Sequence, residues 1–137
     1  MNAKQEVKGR ILIVDDEPAI RNLIRSLLSD RFTCTTAESA EAALRCLEAE
    51  AFDLMITDVN LGGGMNGIEL VRRVVASAPG IVVLVISADP SITPIEAIAN
   101  GAFDYIRKPF DIDTFTRAVD RAMAHRALLV SKRKRDR

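Results

Sequence analysis

Residues Ile81-Val82-Val83-Leu84-Val85-Ile86 form an unbroken aliphatic run with no polar alternation. A strand with one face in water alternates, so this run belongs to a strand covered on both faces, as inside a parallel sheet. Such a sheet needs helices on each side, and the flanking sequence supplies them. Ile11-Leu12-Ile13-Val14 reads as a second buried strand. After it, Ile20, Leu23, Ile24, Leu27 and Leu28 fall at the spacing of an amphipathic helix. Pro18 suits the first turn of that helix, where its missing N–H is not needed.

The alternation continues to the end of the chain. Phe32–Thr36 is short and β-branched, hence a strand, and Ala40, Ala43, Leu44 and Leu47 repeat the helical period. Leu54-Met55-Ile56-Thr57 is a strand ending at Asp58. A glycine-rich loop leads to a helix marked by Ile68, Val71, Val74, Val75 and Ala78, stopped by Pro79-Gly80. Thr93-Pro94 caps and opens a helix that runs to Asn100, with Gly101 as its stop. Phe103–Ile106 is the fifth strand. Asp111 caps a last helix that turns Phe115, Val119 and Ala122 inward and reaches about Leu129. Five strands alternating with five helices predict one α/β domain, a parallel sheet covered on both faces. Its expected span is 9–130, with an N-terminal extension over 1–8 and a basic tail or linker start over 131–137.

Composition narrows the function. The chain is 48% hydrophobic and 28% charged, the profile of a globular protein. No apolar run approaches the ~20 residues of a membrane helix, and no signal peptide is evident. Cys34 and Cys46 make neither a C-x-x-C motif nor a disulfide framework, so a reducing, cytoplasmic setting is expected. Net charge is zero, yet residues 1–131 carry 14 Lys/Arg against 18 Asp/Glu, while the last six residues carry five basic groups and Asp136. A mildly acidic body argues against direct nucleic-acid binding. The single histidine, His125, excludes a multi-histidine metal site and reads as a solvated helix residue.

In open parallel sheets, ligands bind at the carboxyl ends of the strands, near the point where strand order reverses. The polar residues placed there are Asp15 and Asp16, Asp58, Ser87 and Lys108, a strand end expected to face solvent. Carboxylates crowded at one edge repel one another, and a hard divalent cation such as Mg²⁺ relieves this. A hydroxyl and an ammonium converging on them suit a tetrahedral oxyanion, most simply a phosphoryl group. A carboxylate beside a metal can also be the nucleophile that accepts phosphorus. Asp15 or Asp16 could instead serve only as a helix N-cap.

Val14-Asp15-Asp16-Glu17-Pro18, Ile56-Thr57-Asp58, Val85-Ile86-Ser87-Ala88 and Gly101–Phe110, which contains Lys108-Pro109, together resemble the bacterial two-component response-regulator receiver domain over about residues 9–125. The resemblance implies a doubly wound, flavodoxin-like sheet of order 2-1-3-4-5. It implies that Asp58 accepts a phosphoryl group from a sensor histidine kinase or a histidine phosphotransfer protein. Asp15, Asp16, Asp58 and the carbonyl of Asn60 would hold Mg²⁺. Lys108 and Ser87 would contact the phosphoryl oxygens, and Tyr105 would be the switch aromatic. Lys108-Pro109 matches a pair whose peptide bond is usually cis. Asn60 and Asp89 match positions that tune dephosphorylation.

The output would be a changed surface on the fourth helix, fifth strand and fifth helix, around Ile95 and Tyr105. That surface would serve a downstream effector domain or protein, or a homodimer. One departure stands out: Gly62-Gly63-Gly64 replaces the family's proline-containing loop and lengthens it by one residue. Two other readings compete. A Mg²⁺-dependent phosphohydrolase would need a second carboxylate two residues after Asp58, where Asn60 stands, so enzymatic turnover of external substrates is not expected. A phosphorylation-independent docking or dimerisation module would not require the intact set of five polar residues. No output domain follows the last helix, so the chain reads as a stand-alone receiver or as the N-terminal part of a larger regulator.

Overall fold

The computed structural model describes residues 8–135. Most of the expected N-terminal extension, together with Asp136 and Arg137, therefore lies outside the described residues. The elements alternate strictly: β1 (Arg10–Val14), α1 (Pro18–Leu28), β2 (Thr33–Ala37), α2 (Ala40–Ala49), β3 (Leu54–Asp58), α3 (Gly67–Ser77), β4 (Val82–Ser87), α4 (Pro94–Ala99), β5 (Asp104–Arg107) and α5 (Ile112–Arg135). All strand pairs are parallel, and the sheet order is β2-β1-β3-β4-β5. This is the doubly wound arrangement, with strand order reversing between β1 and β3.

Alternate side chains of each strand feed two separate cores. Leu12, Val14, Met55, Val83 and Val85 pack with Ala40 and Ala43 of α2, with Leu70, Val71 and Val74 of α3, and with Ala97 of α4. Ile11, Ile13, Leu54, Ile56, Leu84 and Ile86 pack with Ile24 and Leu28 of α1 and with Phe115, Ala118, Val119 and Ala122 of α5. Every residue of β4 is buried, as its lack of alternation requires.

The helices begin where capping chemistry places them. Ser39, Asn66 and Thr93 each accept a backbone N–H of the first turn. The Asp111 carboxylate accepts from Thr114 N at 2.7 Å. Gly101 ends α4 in the left-handed region at φ 114°.

Several boundaries differ from expectation. β2 and β5 each lie one residue further along, because the pairings Val14–Ala37 and Ser87–Arg107 complete their ladders. Leu23, expected on the buried stripe of α1, is exposed, since the stripe is narrower than the periodicity allows and centres on Ile24 and Leu28. The last helix does not stop near Leu129 but continues to Arg135. Leu129 still packs on the core, and basic residues in a last turn complement the carbonyl end of a helix. Arg126 anchors the same helix, bonding Asp53 Oδ1 and the Gly80 carbonyl.

His125 is also not a solvated residue. It is half-buried and stacked on Phe103, with ring centroids 4.8 Å apart.

Candidate functional site

Parallel strands in register bring their carboxyl ends to one edge, and five sequence-selected residues meet or border one another there. Asp15 follows β1, Asp58 is the last residue of β3, Ser87 is the last of β4, and Lys108 follows β5. Lys108 Nζ lies 3.0 Å from Asp15 Oδ2 and 3.2 Å from Asp58 Oδ2. Asp15 is fully buried, and Asp58 is only 5% exposed. The acceptor candidate is thus not on an open strand end. Its other oxygen accepts the Val59 N–H at 2.7 Å.

The electrostatics follow from this crowding. Burial pushes the Asp58 carboxyl above the usual carboxylate range; the Lys108 charge opposes the rise and the Asp15 charge adds to it. For Lys108, burial disfavours the ammonium. Its bond to Asp15 and the charges of Asp58 and Asp15 nevertheless hold its pKa above the ordinary lysine value. The asymmetry is one of stoichiometry. Lys108 faces two buried carboxylates and, at 4.0 Å, the exposed Glu17 Oε1, whereas Asp15 and Asp58 share this one ammonium, which does not offset the burial of Asp58. The site is short of positive charge.

Asp16 projects into solvent beside this pair. Carboxylate oxygens of Asp15, Asp16 and Glu17 lie within 4.8 Å of one another. An all-oxygen, anionic donor set of this kind fits a hard divalent cation. The gathered trio includes Glu17, which was not among the expected ligands, while the Asp58 carboxylate lies against Lys108. Asn60 is exposed, and its side-chain amide donates to Asp89 Oδ2 at 3.4 Å.

Ser87 is fully buried, its Oγ accepting the Asp89 N–H at 2.9 Å and its carbonyl accepting the Lys108 N–H at 2.9 Å. The two residues from β4 and β5 are therefore tied through the backbone. The Lys108–Pro109 peptide bond is cis. Tyr105 is half-buried, and its hydroxyl donates to the Ile92 carbonyl in the β4–α4 loop at 3.1 Å. Ile95 and Ile98 on α4 are 81% and 51% exposed.

Four supporting residues had escaped the sequence reading. Arg21 donates to the Asp15 carbonyl at 2.7 Å from one turn into α1. Its spacing of four from Glu17 is a helical signal that could have suggested it. Thr57 is buried, its hydroxyl donating to the Asp58 carbonyl. Gly67 has no room for a side chain, because a Cβ would come within 2.0 Å of the Asp58 carbonyl. Glu41 reaches across from α2 to accept the Met65 N–H at 3.0 Å. Nothing in the sequence links two residues that far apart.

These features define a class. The response regulator receiver domain model matches residues 11–120. The chain belongs to the response regulator receiver domain family, the signalling domains of two-component systems. It is 33% identical over 120 residues to the DNA-binding transcriptional regulator NtrC of Escherichia coli strain K12, covering 86% of this chain and 25% of that protein. It is 36% identical over 130 residues to the alginate biosynthesis transcriptional regulatory protein AlgB of Pseudomonas putida, covering 93% of this chain and 29% of AlgB. The chain thus spans about a quarter of the length of these curated relatives.

Among solved structures, the receiver domain of NtrX from Brucella abortus superposes with a TM-score of 0.79 at 36% identity, covering 83% of this chain and 98% of that one. The beryllofluoride-activated NtrC4 receiver domain dimer also superposes with a TM-score of 0.79, at 27% identity, covering 85% and 98%. Among the described residues, no helix is long and apolar enough to cross a membrane.

Proposed function

We propose that Asp58 accepts a phosphoryl group from a phosphohistidine on a sensor kinase or phosphotransfer protein. An Asp58 carboxylate oxygen forms the new O–P bond as the P–N bond breaks, and the imidazole leaves with the electron pair. The observation that carries this reading is the buried Asp58 carboxylate held 3.2 Å from an ammonium that it shares with Asp15. The arrangement places the group's nucleophile beside a fixed positive charge, and phosphoryl transfer depends mostly on positioning and charge stabilisation. Lys108 Nζ, 3.2 Å from Asp58 Oδ2, stands where it would meet an oxygen of the arriving group.

Asp15 and Asp16, with the Asn60 carbonyl and Asp58 itself, would hold Mg²⁺; Glu17 stands close enough to these carboxylates to join through water. Bound there, Mg²⁺ supplies the positive charge that the site lacks and neutralises oxygens of the transferred group.

The phosphoryl group then acts as a switch. It adds up to two negative charges. The Ser87 hydroxyl lies on the same strand-end edge; its oxygen accepts the Asp89 N–H, and its own hydrogen would donate to a phosphoryl oxygen. Movement of the loop after β4 releases the Ile92 carbonyl from Tyr105, and the ring turns inward. The surface of α4, β5 and α5 around Ile95 changes accordingly, and it would bind a downstream effector domain or protein, or a second copy of this chain. The name of the NtrC4 receiver domain dimer, activated by beryllofluoride, supports the last of these. The setting we propose is cytoplasmic.

Intact-protein mass spectrometry after incubation with acetyl phosphate tests the acceptor assignment. The expected result is a Mg²⁺-dependent gain of one phosphoryl group that Asp58→Asn abolishes. No gain in folded wild-type protein would leave a docking module instead.

A further inference from the structure

The loop after β3 carries Gly62-Gly63-Gly64, and its ordering needs an explanation. Gly62 and Gly64 both occupy the left-handed region, at φ 75° and 89°. Three consecutive glycines lose more conformational entropy on ordering than any other tripeptide. The loop's outer part nevertheless has a partner. The Glu41 carboxylate, from the first turn of α2, accepts the Met65 N–H at 3.0 Å. The same carboxylate rests on the bare Cα of Gly64, where a Cβ would come within 3.0 Å of Glu41 Oε2.

On its inner side the loop lies against the acidic edge, since a Cβ on Gly62 would be 3.7 Å from Asp16 Oδ2. One segment thus connects Glu41 on α2 with Asp16. Its two ends are fixed by buried contacts, Leu61 in the core and Gly67 N bonded to the Val59 carbonyl. Between those anchors, Glu41 is the only side chain that bonds the loop backbone among the described residues.

We infer that Glu41 is a positioning residue for the cation-binding edge: by latching Met65 it holds the glycine loop against Asp16 and so sets how readily that edge takes up Mg²⁺. This rests on the reading of Asp15 and Asp16 as the cation-binding carboxylates. Glu41 itself touches neither Asp58 nor the carboxylates that would hold the metal. Its removal should alter affinity for the cation rather than the rate of transfer once the site is loaded.

The test compares wild type, Glu41→Ala and Glu41→Gln. Glutamine keeps an oxygen that can accept the Met65 N–H. Glu41 is exposed, and the cap of α2 is made by Ser39, so both variants should fold, which thermal melts verify. Three readouts are taken: amide hydrogen exchange over residues 62–66, Mg²⁺ affinity by calorimetry on the unphosphorylated protein, and acetyl-phosphate labelling against Mg²⁺ concentration.

For Glu41→Ala the expectation is about tenfold faster exchange in the loop, a tenfold change being the loss of about one charge-assisted bond. Mg²⁺ affinity should fall at least about threefold, with the labelling rate at saturating Mg²⁺ unchanged, while Glu41→Gln stays within about twofold of wild type. Unchanged loop exchange in Glu41→Ala overturns the latch. Faster exchange with unchanged Mg²⁺ affinity overturns its link to the cation edge, as does a lower saturating rate with an unchanged midpoint. If wild type binds Mg²⁺ yet takes no label, the acceptor assignment of Asp58 fails alone, and exchange and calorimetry still decide the role of Glu41.

Discussion

Replacing Lys108 with methionine keeps the aliphatic stem and removes the one positive charge that two buried carboxylates share. Asp15 is fully buried, and Asp58 is 5% exposed, so neither carboxylate has ready access to water. Removing one partner of a buried ion pair costs about 3–5 kcal/mol, because the remaining charge stays uncompensated. The exposed Asp16 side gives this site an opening to water, which places the expected loss near the lower bound, about 3 kcal/mol. For a domain of this size that corresponds to a melting point roughly 10 °C lower.

The loss should also depend on pH, and the direction follows from the two groups. The Lys108 pKa is raised by folding, so its stabilising contribution is complete below the ordinary lysine pKa and disappears as pH rises through the folded value. The Asp58 pKa is also raised, so its contribution is complete below the ordinary carboxylate value and is lost as pH rises through the folded one. In Lys108→Met that second loss deepens, because no ammonium moderates it. The gap between wild type and variant should therefore be widest above the raised Asp58 value and narrow as pH falls below it and that carboxyl takes up its proton.

Urea unfolding followed by circular dichroism, with Mg²⁺ chelated, measures this. An unchanged slope with a lower midpoint would be the expected form. A loss under about 1 kcal/mol, or one that is the same above and below the raised Asp58 value, would refute the charge-shortage argument.

Other consequences are separately measurable. Asp58→Asn removes an ionised group whose burial outweighs its attraction to Lys108, so in the absence of Mg²⁺ it should raise the urea midpoint at neutral pH; a lower midpoint would contradict the direction assigned to Asp58. Gly67→Ala forces a Cβ against the Asp58 carbonyl and should cost about 1–3 kcal/mol with loss of phosphoryl uptake, read by thermal melts and mass spectrometry. Phe115→Ala empties the centre of the α1/α5 core and should cost about 3–5 kcal/mol without altering the site's Mg²⁺ affinity. Arg21→Met removes the bond to the Asp15 carbonyl and should cost about 1 kcal/mol, measurable by urea unfolding.

The fold was legible because each element carries its own local signal. The unbroken run of β4, the helical stripe of α1 and the caps at Thr93 and Asp111 are all consequences of burial or of unpaired backbone groups. Parallel topology then carried Asp15, Asp58, Ser87 and Lys108 to one edge without any knowledge of distances.

What the sequence did not disclose falls into two kinds. Depth was one: Asp58 ends a strand, and its burial depends on what the rest of the chain packs around that strand end, which no local pattern records. Tertiary partners were the other. Glu41 meets Met65, and His125 meets Phe103, through packing between elements that no periodicity encodes. The continuation of α5 to Arg135 was missed for a simpler reason: a run of basic residues looks like a tail, but at a helix C-terminus it is also a favourable last turn.

The central claim is that Asp58, and no other carboxylate at this edge, takes the phosphoryl group. Labelling with acetyl phosphate and Mg²⁺, reduction of the acyl phosphate with borohydride, and peptide sequencing by mass spectrometry locate the modified aspartate directly as homoserine. The account predicts homoserine at position 58 alone. Homoserine at Asp15 or Asp16, or none in protein shown to be folded, would contradict it.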